Sequence, residues 1–240
     1  MNPLVRRLRH YTELSAAGEM SIVRLARTSA RAVERNADLV VEGEHARHAH
    51  VILEGWAARY KTLRDGRQQI SALFIAGDLF GLHSGLIREL DHSVRAITPV
   101  QVARISQDDV NRLMDRHPRM AKGLLWQQLV LNAVERTWLV NLGQRTAYER
   151  VAHLFCEMQL RLSLAGLAAE ACCEFPLTQI ELAQATGISA VHVNRVLQRL
   201  RAGRLIELDA NRLKIRDLDR LRKAAMFDPS YLHLGAGPRY

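Results

Sequence analysis

The sequence predicts an α+β chain in three parts: a β-rich N-terminal domain of roll or sandwich type, a long helix, and a C-terminal winged helix-turn-helix. Three observations carry this. Short apolar runs broken by Glu-Gly, Asp-Gly and Gly-Asp turns fill residues 33–106. A helical pattern with no proline then runs through residues 119–144. The last quarter reads as a capped helix, a glycine turn, a basic helix and a hairpin.

The 240 residues, 48% hydrophobic and 25% charged, suffice for one large domain or two modest ones. A net charge of +9 favours an anionic partner, nucleic acid or a membrane surface. No apolar run reaches the length of a bilayer span, and "MNPLVRRLRHYTELSAAGEM" lacks the apolar core of a signal peptide, so no membrane association is expected. The three cysteines, Cys156, Cys172 and Cys173, make no disulfide framework. A reduced, cytoplasmic protein is the expectation.

In chain order, residues 4–32 read as one or two short helices. Strands are expected in "DLVVEGE", "HVILEGWAARYKTL", "QQISALFIAGDLFG" and "SVRAITPVQVARIS", with Asp65-Gly66 turning a hairpin. "QDDVNRLMDRHPRM" opens with two aspartates suited to a helix N-terminus. The long helix carries Leu124, Leu125, Leu129, Leu131, Val134, Trp138, Leu139 and Leu142 on more than one face. Two arrangements fit: a fully buried core helix, or one that packs on the β domain and on a twin. Gly143 is expected to end it, before a second amphipathic helix in "RTAYERVAHLFCEMQLRLSL". "LAGLAAEACCEF" reads as a linker.

Residues 176–240 carry eleven Lys/Arg against six Asp/Glu, an excess of five that is more than half the net charge of the chain. Thr178 and Glu181 form a capping box, Gly187 suits a left-handed helix end, and Ser189 caps the next helix. In "SAVHVNRVLQRLRAG", Val193, Val196, Leu197 and Leu200 make an inward stripe. His192, Arg195 and Arg199 share the outward side, and Gly203 ends the helix. "RLIELDANRLKI" makes a hairpin wing. A structural helical pair with a solvated arginine face would share the charge, but the caps, the glycine turn and the wing together point to a helix that enters the DNA major groove. Arg195 is the candidate for a bidentate base contact, whereas Arg199 and Arg201 are expected nearer the backbone or exposed.

"PLTQIELAQATGISAVHVNRVLQRLRAGRLIEL" resembles the helix-turn-helix of the Crp/Fnr family of bacterial transcription regulators. "VILEGWAARYK…DGRQQISALFIAGDLFGL" resembles that family's cyclic-nucleotide-binding-like roll, and the long helix resembles its dimerisation helix. The resemblance spans about residues 30–225. It implies a double-stranded β-helix (jelly-roll-like) sensory domain over 1–115, a dimerisation helix over 116–143, and a winged helix-turn-helix domain with a C-terminal tail over 144–240. It further implies a homodimer on a palindromic site of double-stranded DNA, with RNA polymerase as a further partner. Thr178 would lie at the phosphate backbone, and Ser189, Ala190, His192, Arg195 and Arg199 at or near the groove. Where the family often has a small polar or basic residue and then Glu after the serine, this chain has Ala190 and Val191, so base preferences do not carry over.

Cyclic AMP binding in the family needs Gly-Glu for the ribose and Arg-Ser or Arg-Thr for the phosphate. Here Leu82 follows Gly81, and Leu90 or Asp91 falls at the arginine position, with Arg95 beyond it and Arg88 before it. The family's iron–sulfur sensors use four cysteines near the N-terminus, but no cysteine precedes Cys156. Cys172 and Cys173 are read as idle linker thiols rather than a redox switch. The alternative of another class is a cupin-like metal-dependent enzyme using His48, His50 and Glu54, since alternate histidines share a strand face. Against it, "FIAGDLFGLHSG" supplies only a displaced His83. The expectation is a regulator with no catalytic residue, no metal and no cofactor, and with its effector left open.

Overall fold

The computed structural model describes residues 1–82, 84–169 and 171–234. The chain divides into two compact units, one of Met1–Lys61, Ala72–Ala133 and residues 232–234, the other of Thr62–Ser71 and Val134–Tyr231. No helix among the described residues is long and apolar enough to cross a membrane.

The N-terminal unit begins with α1 (Pro3–Leu8) and α2 (Ala16–Thr28). Eight strands follow, with the tip of the β4–β5 hairpin (residues 62–71) assigned to the other unit: β1 (Ala30–Val33), β2 (Asp38–Val40), β3 (His48–Glu54), β4 (Ala57–Thr62), β5 (Gln68–Phe74), β6 (Leu79–Phe80), β7 (Ser93–Ala96) and β8 (Val100–Ser106). They form two four-stranded sheets, in the orders β1-β8-β3-β6 and β2-β7-β4-β5. Gly66 sits at φ +86 in the tight connection predicted there, with Leu63 N–H bonded to Arg67 O at 2.8 Å.

Alternation along β3 shows how the roll is built. Ala49 and Val51 face outward and are covered by Leu4, Leu8, Ile22 and, on later helices, Val110, Leu113, Met120 and Leu124. Ile52 faces inward and meets Phe74, Phe80, Val94 and Val102. The helices that cover the outer face are α1, α2, α3 (Gln107–Arg116) and the first part of α4 (Pro118–Gln144). The N-cap of α3 is Ser106, and Asp108 and Asp109 fill its first turn as expected.

These layers are pinned at the Ile75–Asp78 turn. Gly77 N–H donates to Ile52 O at 2.8 Å, and Ile52 N–H donates to Asp78 O at 3.0 Å. Asp78 Oδ2 accepts from Ile75 N–H, and its Oδ1 takes Arg7 Nη2 from α1, both at 2.8 Å. From α4, Gln127 Nε2 donates to Gly77 O at 3.0 Å. The turn was legible in the sequence, but its role as a joint between helix and sheet layers was not.

The C-terminal unit contains the end of α4, then α5 (Ala147–Leu164), β9 (Ala168–Ala169), β10 (Cys172–Glu174), α6 (Gln179–Thr186), α7 (Ala190–Ala202), β11 (Ile206–Asp209), β12 (Arg212–Ile215) and α8 (Leu218–Ala225). Four expectations need correction. Gly143 lies inside α4, which ends a residue later at Gln144. "LAGLAAEACCEF" is not simply a linker: β10 pairs with β12 at Cys172↔Lys214 and with β9, so the wing belongs to a four-stranded sheet, β11-β12-β10-β9. β1 was not foreseen, and the tail after the wing carries α8. These short strands have little pattern of their own and exist through the partners they pair with.

Two outcomes test this architecture. Asp78→Ala leaves the buried Arg7 guanidinium without its carboxylate, and should cost about 3–5 kcal/mol in urea unfolding. The second is pH dependence. His50 is buried with its ring stacked on Phe80 at 4.9 Å. Burial, helped by the Arg104 and His48 charges, lowers it to about 3. Below its ordinary value of about 6.5 the unfolded chain takes up a proton on His50 that the folded chain does not. Stability linked to this group is therefore complete above that pH and is lost as pH falls toward 3. Thermal melts between pH 7.5 and 4 should show a fall in Tm that His50→Phe reduces.

Candidate nucleic-acid interface

The C-terminal module is built around two caps and a turn. Thr178 Oγ1 accepts from Glu181 N–H at 3.2 Å, and Glu181 Oε2 accepts from Thr178 N–H at 2.7 Å, so the capping box of α6 is reciprocal. Gly187 is left-handed (φ +64, ψ 35) and closes α6 by donating to Ala183 O at 2.8 Å. Ser189 then caps α7, its Oγ accepting from His192 N–H at 3.2 Å.

In α7 the inward stripe is as expected: Val193, Val196, Leu197 and Leu200 are all buried. This leaves Ser189, His192, Arg195 and Arg199 exposed on the other side, with Ala190 half-buried. Thr178 is exposed as well, but its hydroxyl is already engaged in the capping box and donates to Glu181 Oε2 at 2.8 Å. No acidic residue occurs in α7. The guanidinium of Arg195 has no acidic partner among the described residues.

Two arginines are more committed than the sequence suggested. The Arg199 guanidinium lies over the ring of Tyr148, 4.3 Å from its centroid. Arg201 is half-buried rather than exposed, and its Nη2 donates to Leu208 O on β11 at 2.8 Å. It ties α7 to the wing. The helix stops at Ala202 with Gly203 in right-handed geometry (φ −71), and the left-handed residue is Arg204 at φ +54. In the wing, β11 and β12 are joined by Ala210 and Asn211, both at positive φ, as a two-residue hairpin turn demands.

The ligand signals in the N-terminal unit resolve differently. His48 and His50 do lie on one face of β3, with ring centroids 6.4 Å apart. Glu54 does not join them. It sits four residues on, about 13 Å along a strand, and a register shift between Ile52 and Glu54 pairs it with exposed Gln101 rather than continuing the inward face. Among the described residues no three His, Cys, Asp or Glu side chains group to hold a metal. His83 lies outside the described residues.

At the position of the nucleotide cassette, Gly81 O accepts from Gln107 Nε2 at 3.0 Å and Leu82 is buried. Leu90 packs against the roll interior, Arg95 lies over the ring of Tyr60 at 5.0 Å, and Arg88 is exposed. The Phe74 and Phe80 rings stack at 4.8 Å inside the roll. Among the thiols, burial pushes Cys156 up to about 12 and Cys173 up to about 11, while Cys172 is half-buried with Arg212 Nη2 at 3.8 Å from its sulfur.

Comparison with known proteins agrees with both halves. Residues 30–117 match the cyclic nucleotide-binding domain model, and residues 149–224 match the Crp-like helix-turn-helix domain model. A probable transcriptional activator of Rhizobium leguminosarum bv. viciae is 27% identical over 194 residues, 80% of each chain. The nitrogen fixation regulation protein FixK of Azorhizobium caulinodans is 24% identical over 190 residues, 79% of this chain and 76% of that one. The solved structure of FixK2 from Bradyrhizobium japonicum superposes with a TM-score of 0.73 at 24% identity, covering 81% of this chain and 96% of that chain. With a nucleotide-binding-type roll and a Crp-like helix-turn-helix in this order, the chain belongs to the Crp/Fnr family of transcription regulators.

Proposed function

We propose that the protein acts in the cytoplasm as a homodimer on a palindromic DNA site, with a sensory roll over 1–115, a dimerisation helix over 116–143 and a DNA-binding module over 144–240. The observation that carries this is the face of α7: an acid-free helix whose His192 and Arg195 stand exposed beside the capping serine. The helix N-terminus is where base edges are reached in helix-turn-helix docking. Thr178 and Ser189 would meet the phosphate backbone and groove edge, Ala190 and His192 the bases, and Arg195 a guanine. Arg199, stacked on Tyr148, serves as a backbone contact held at a fixed place.

Support for the dimer comes from α4. Leu125, Leu129 and Leu139 are 42, 61 and 71% exposed, and Val140 is 50% exposed. With Asn132 and Arg136 between them, the positions 125, 129, 132, 136 and 139 recur at alternating steps of four and three, the seam of a two-helix coiled coil. A fully buried core helix would not leave them open, whereas a twin helix would cover them. The roll then biases α4, which sets the separation of two recognition helices along about 34 Å of duplex. RNA polymerase is the further partner that transcription control would require.

We read the protein as controlled by neither cyclic AMP nor an iron–sulfur cluster. Leu82 stands where the family's nucleotide cassette needs Glu, Leu90 or Asp91 where it needs Arg, and no cysteine precedes Cys156. Nor do we read it as an enzyme. The buried, neutral His50 and the turned-away Glu54 give no support to the cupin alternative.

Gel-shift titrations test the DNA reading. On a site selected from random sequence, Arg195→Ala should cost about 1–3 kcal/mol and flatten the preference at one base pair per half-site. Equal losses on selected and scrambled DNA would make Arg195 a phosphate anchor only. A lone half-site bound as tightly as the pair would refute the dimer. Calorimetry with cyclic AMP and cyclic GMP should show no binding in the micromolar range. A saturable micromolar isotherm with a rise in DNA affinity would reverse that conclusion.

A further inference from the structure

The α4–α5 junction carries a dense cluster of polar contacts. α4 ends at Gln144 and α5 begins at Ala147, so only Arg145 and Thr146 connect them. A two-residue connection between helices is a natural hinge. Here it is bonded on several sides. Arg145 Nη1 donates to Asn141 Oδ1 in the last turn of α4 at 2.6 Å. Its Nε and Nη2 donate to Ala225 O and Met226 O, the end of α8, at 3.3 and 3.2 Å. Asn141 in turn contacts His153 Nδ1 on α5 at 3.2 Å.

A second arginine closes the other side. Arg150 Nη2 donates to Arg145 O at 2.9 Å, and its Nη1 donates to Thr186 O, the last carbonyl of α6, at 2.6 Å. The two guanidinia therefore occupy the C-terminal ends of α8 and α6, where carbonyls lack helical partners and the dipole is negative. The turn between α6 and α7 lies against the same place, since a Cβ on Gly187 would stand 2.8 Å from Leu142 Cδ2 and 3.5 Å from Arg150 Nη1.

The segment after α8 completes the enclosure. Phe227 lies edge-on to His153 at 5.0 Å, and Tyr231 O–H donates to Glu157 Oε2 at 2.9 Å. Glu157 is fully buried and is also held by Trp138 Nε1 at 3.0 Å and Arg161 Nη1 at 3.1 Å. Trp138 belongs to α4 and Glu157 to α5, so the tyrosine hydroxyl joins the C-terminal segment to both helices through one carboxylate. This segment lies beyond residue 224, where the helix-turn-helix match ends.

We infer that Arg145 and Tyr231 are positioning residues: they fix the angle at which the helix-turn-helix leaves the end of α4, and so determine the half-site spacing that the protein accepts. The inference rests on the symmetric-dimer reading above. Neither residue is placed at DNA. Each acts through the joint, where a displacement of one base-pair step, about 3.4 Å, decides whether the second recognition helix docks.

The test uses the full chain with Arg145→Gln and, as the milder change, Tyr231→Phe, which removes a single hydroxyl. Fluorescence anisotropy titrations compare the selected symmetric site with versions one base pair shorter and longer between half-sites. Circular dichroism at the assay temperature verifies the fold. The wild type should discriminate against both altered spacings. Each variant should lose about tenfold of that discrimination while keeping its base preference within a half-site. The inference is overturned if both variants keep the wild-type spacing preference, including the case where affinity drops alike on all three sites. If the wild type binds a lone half-site as tightly as the pair, the symmetric-dimer reading fails instead, and it does so in the unmutated protein.

Discussion

At Gly187 the backbone reverses with φ +64, and any side chain there would meet Leu142 at the end of α4. Two constraints thus coincide on one residue. The left-handed conformation disfavours a Cβ, and one there would have to displace the Leu142 side chain. The angle between α6 and α7 follows from this turn. So does the way the pair seats on the α4–α5 junction, because Thr186 O, one residue earlier, is the acceptor for Arg150. The exposed face of α7 is presented where it is because this reversal leaves so little choice.

The charge on that face is divided by function. Four inward apolar residues hold a thirteen-residue helix to the unit, and burying each side chain contributes roughly 1.5–3 kcal/mol. That is enough to hold a cationic surface with no internal counter-ions. Not every arginine remains on offer, however. Arg201 is spent on a wing carbonyl and Arg199 rests on Tyr148, which leaves His192 and Arg195 as the uncommitted polar groups near the helix start. Under the proposed function, division of this kind would favour sequence readout over general attraction, because one guanidinium free to reach a base, that of Arg195, sits beside others already fixed.

In the roll, by contrast, two buried polar groups are accounted for by pairing or neutrality. Asp78 is bonded by Arg7 and by the Ile75 amide, and His50, whose charged form burial disfavours, stacks on Phe80. The spacing of His48, His50 and Glu54 resembles a ligand set as a string of letters. On the strand it is two inward imidazoles and one outward carboxylate, because a register shift follows Ile52. A linear motif on a strand presumes unbroken alternation, and one bulge removes that premise.

The sequence by itself determined the features that are local. The capping box of α6, the left-handed glycine, the inward stripe of α7, the hairpin at Asp65-Gly66 and the wing turn depend on residues close together in the chain, where backbone preference and spacing decide the outcome. Only the tertiary structure decided the rest. β10 is a strand because β12 offers its edge, and β9 because β10 does; Gly143 stays helical within α4, and Arg145, Arg150 and Glu157 find partners at separations of up to about eighty residues. Their interactions depend on where distant helix ends arrive, and no periodicity along the chain records that.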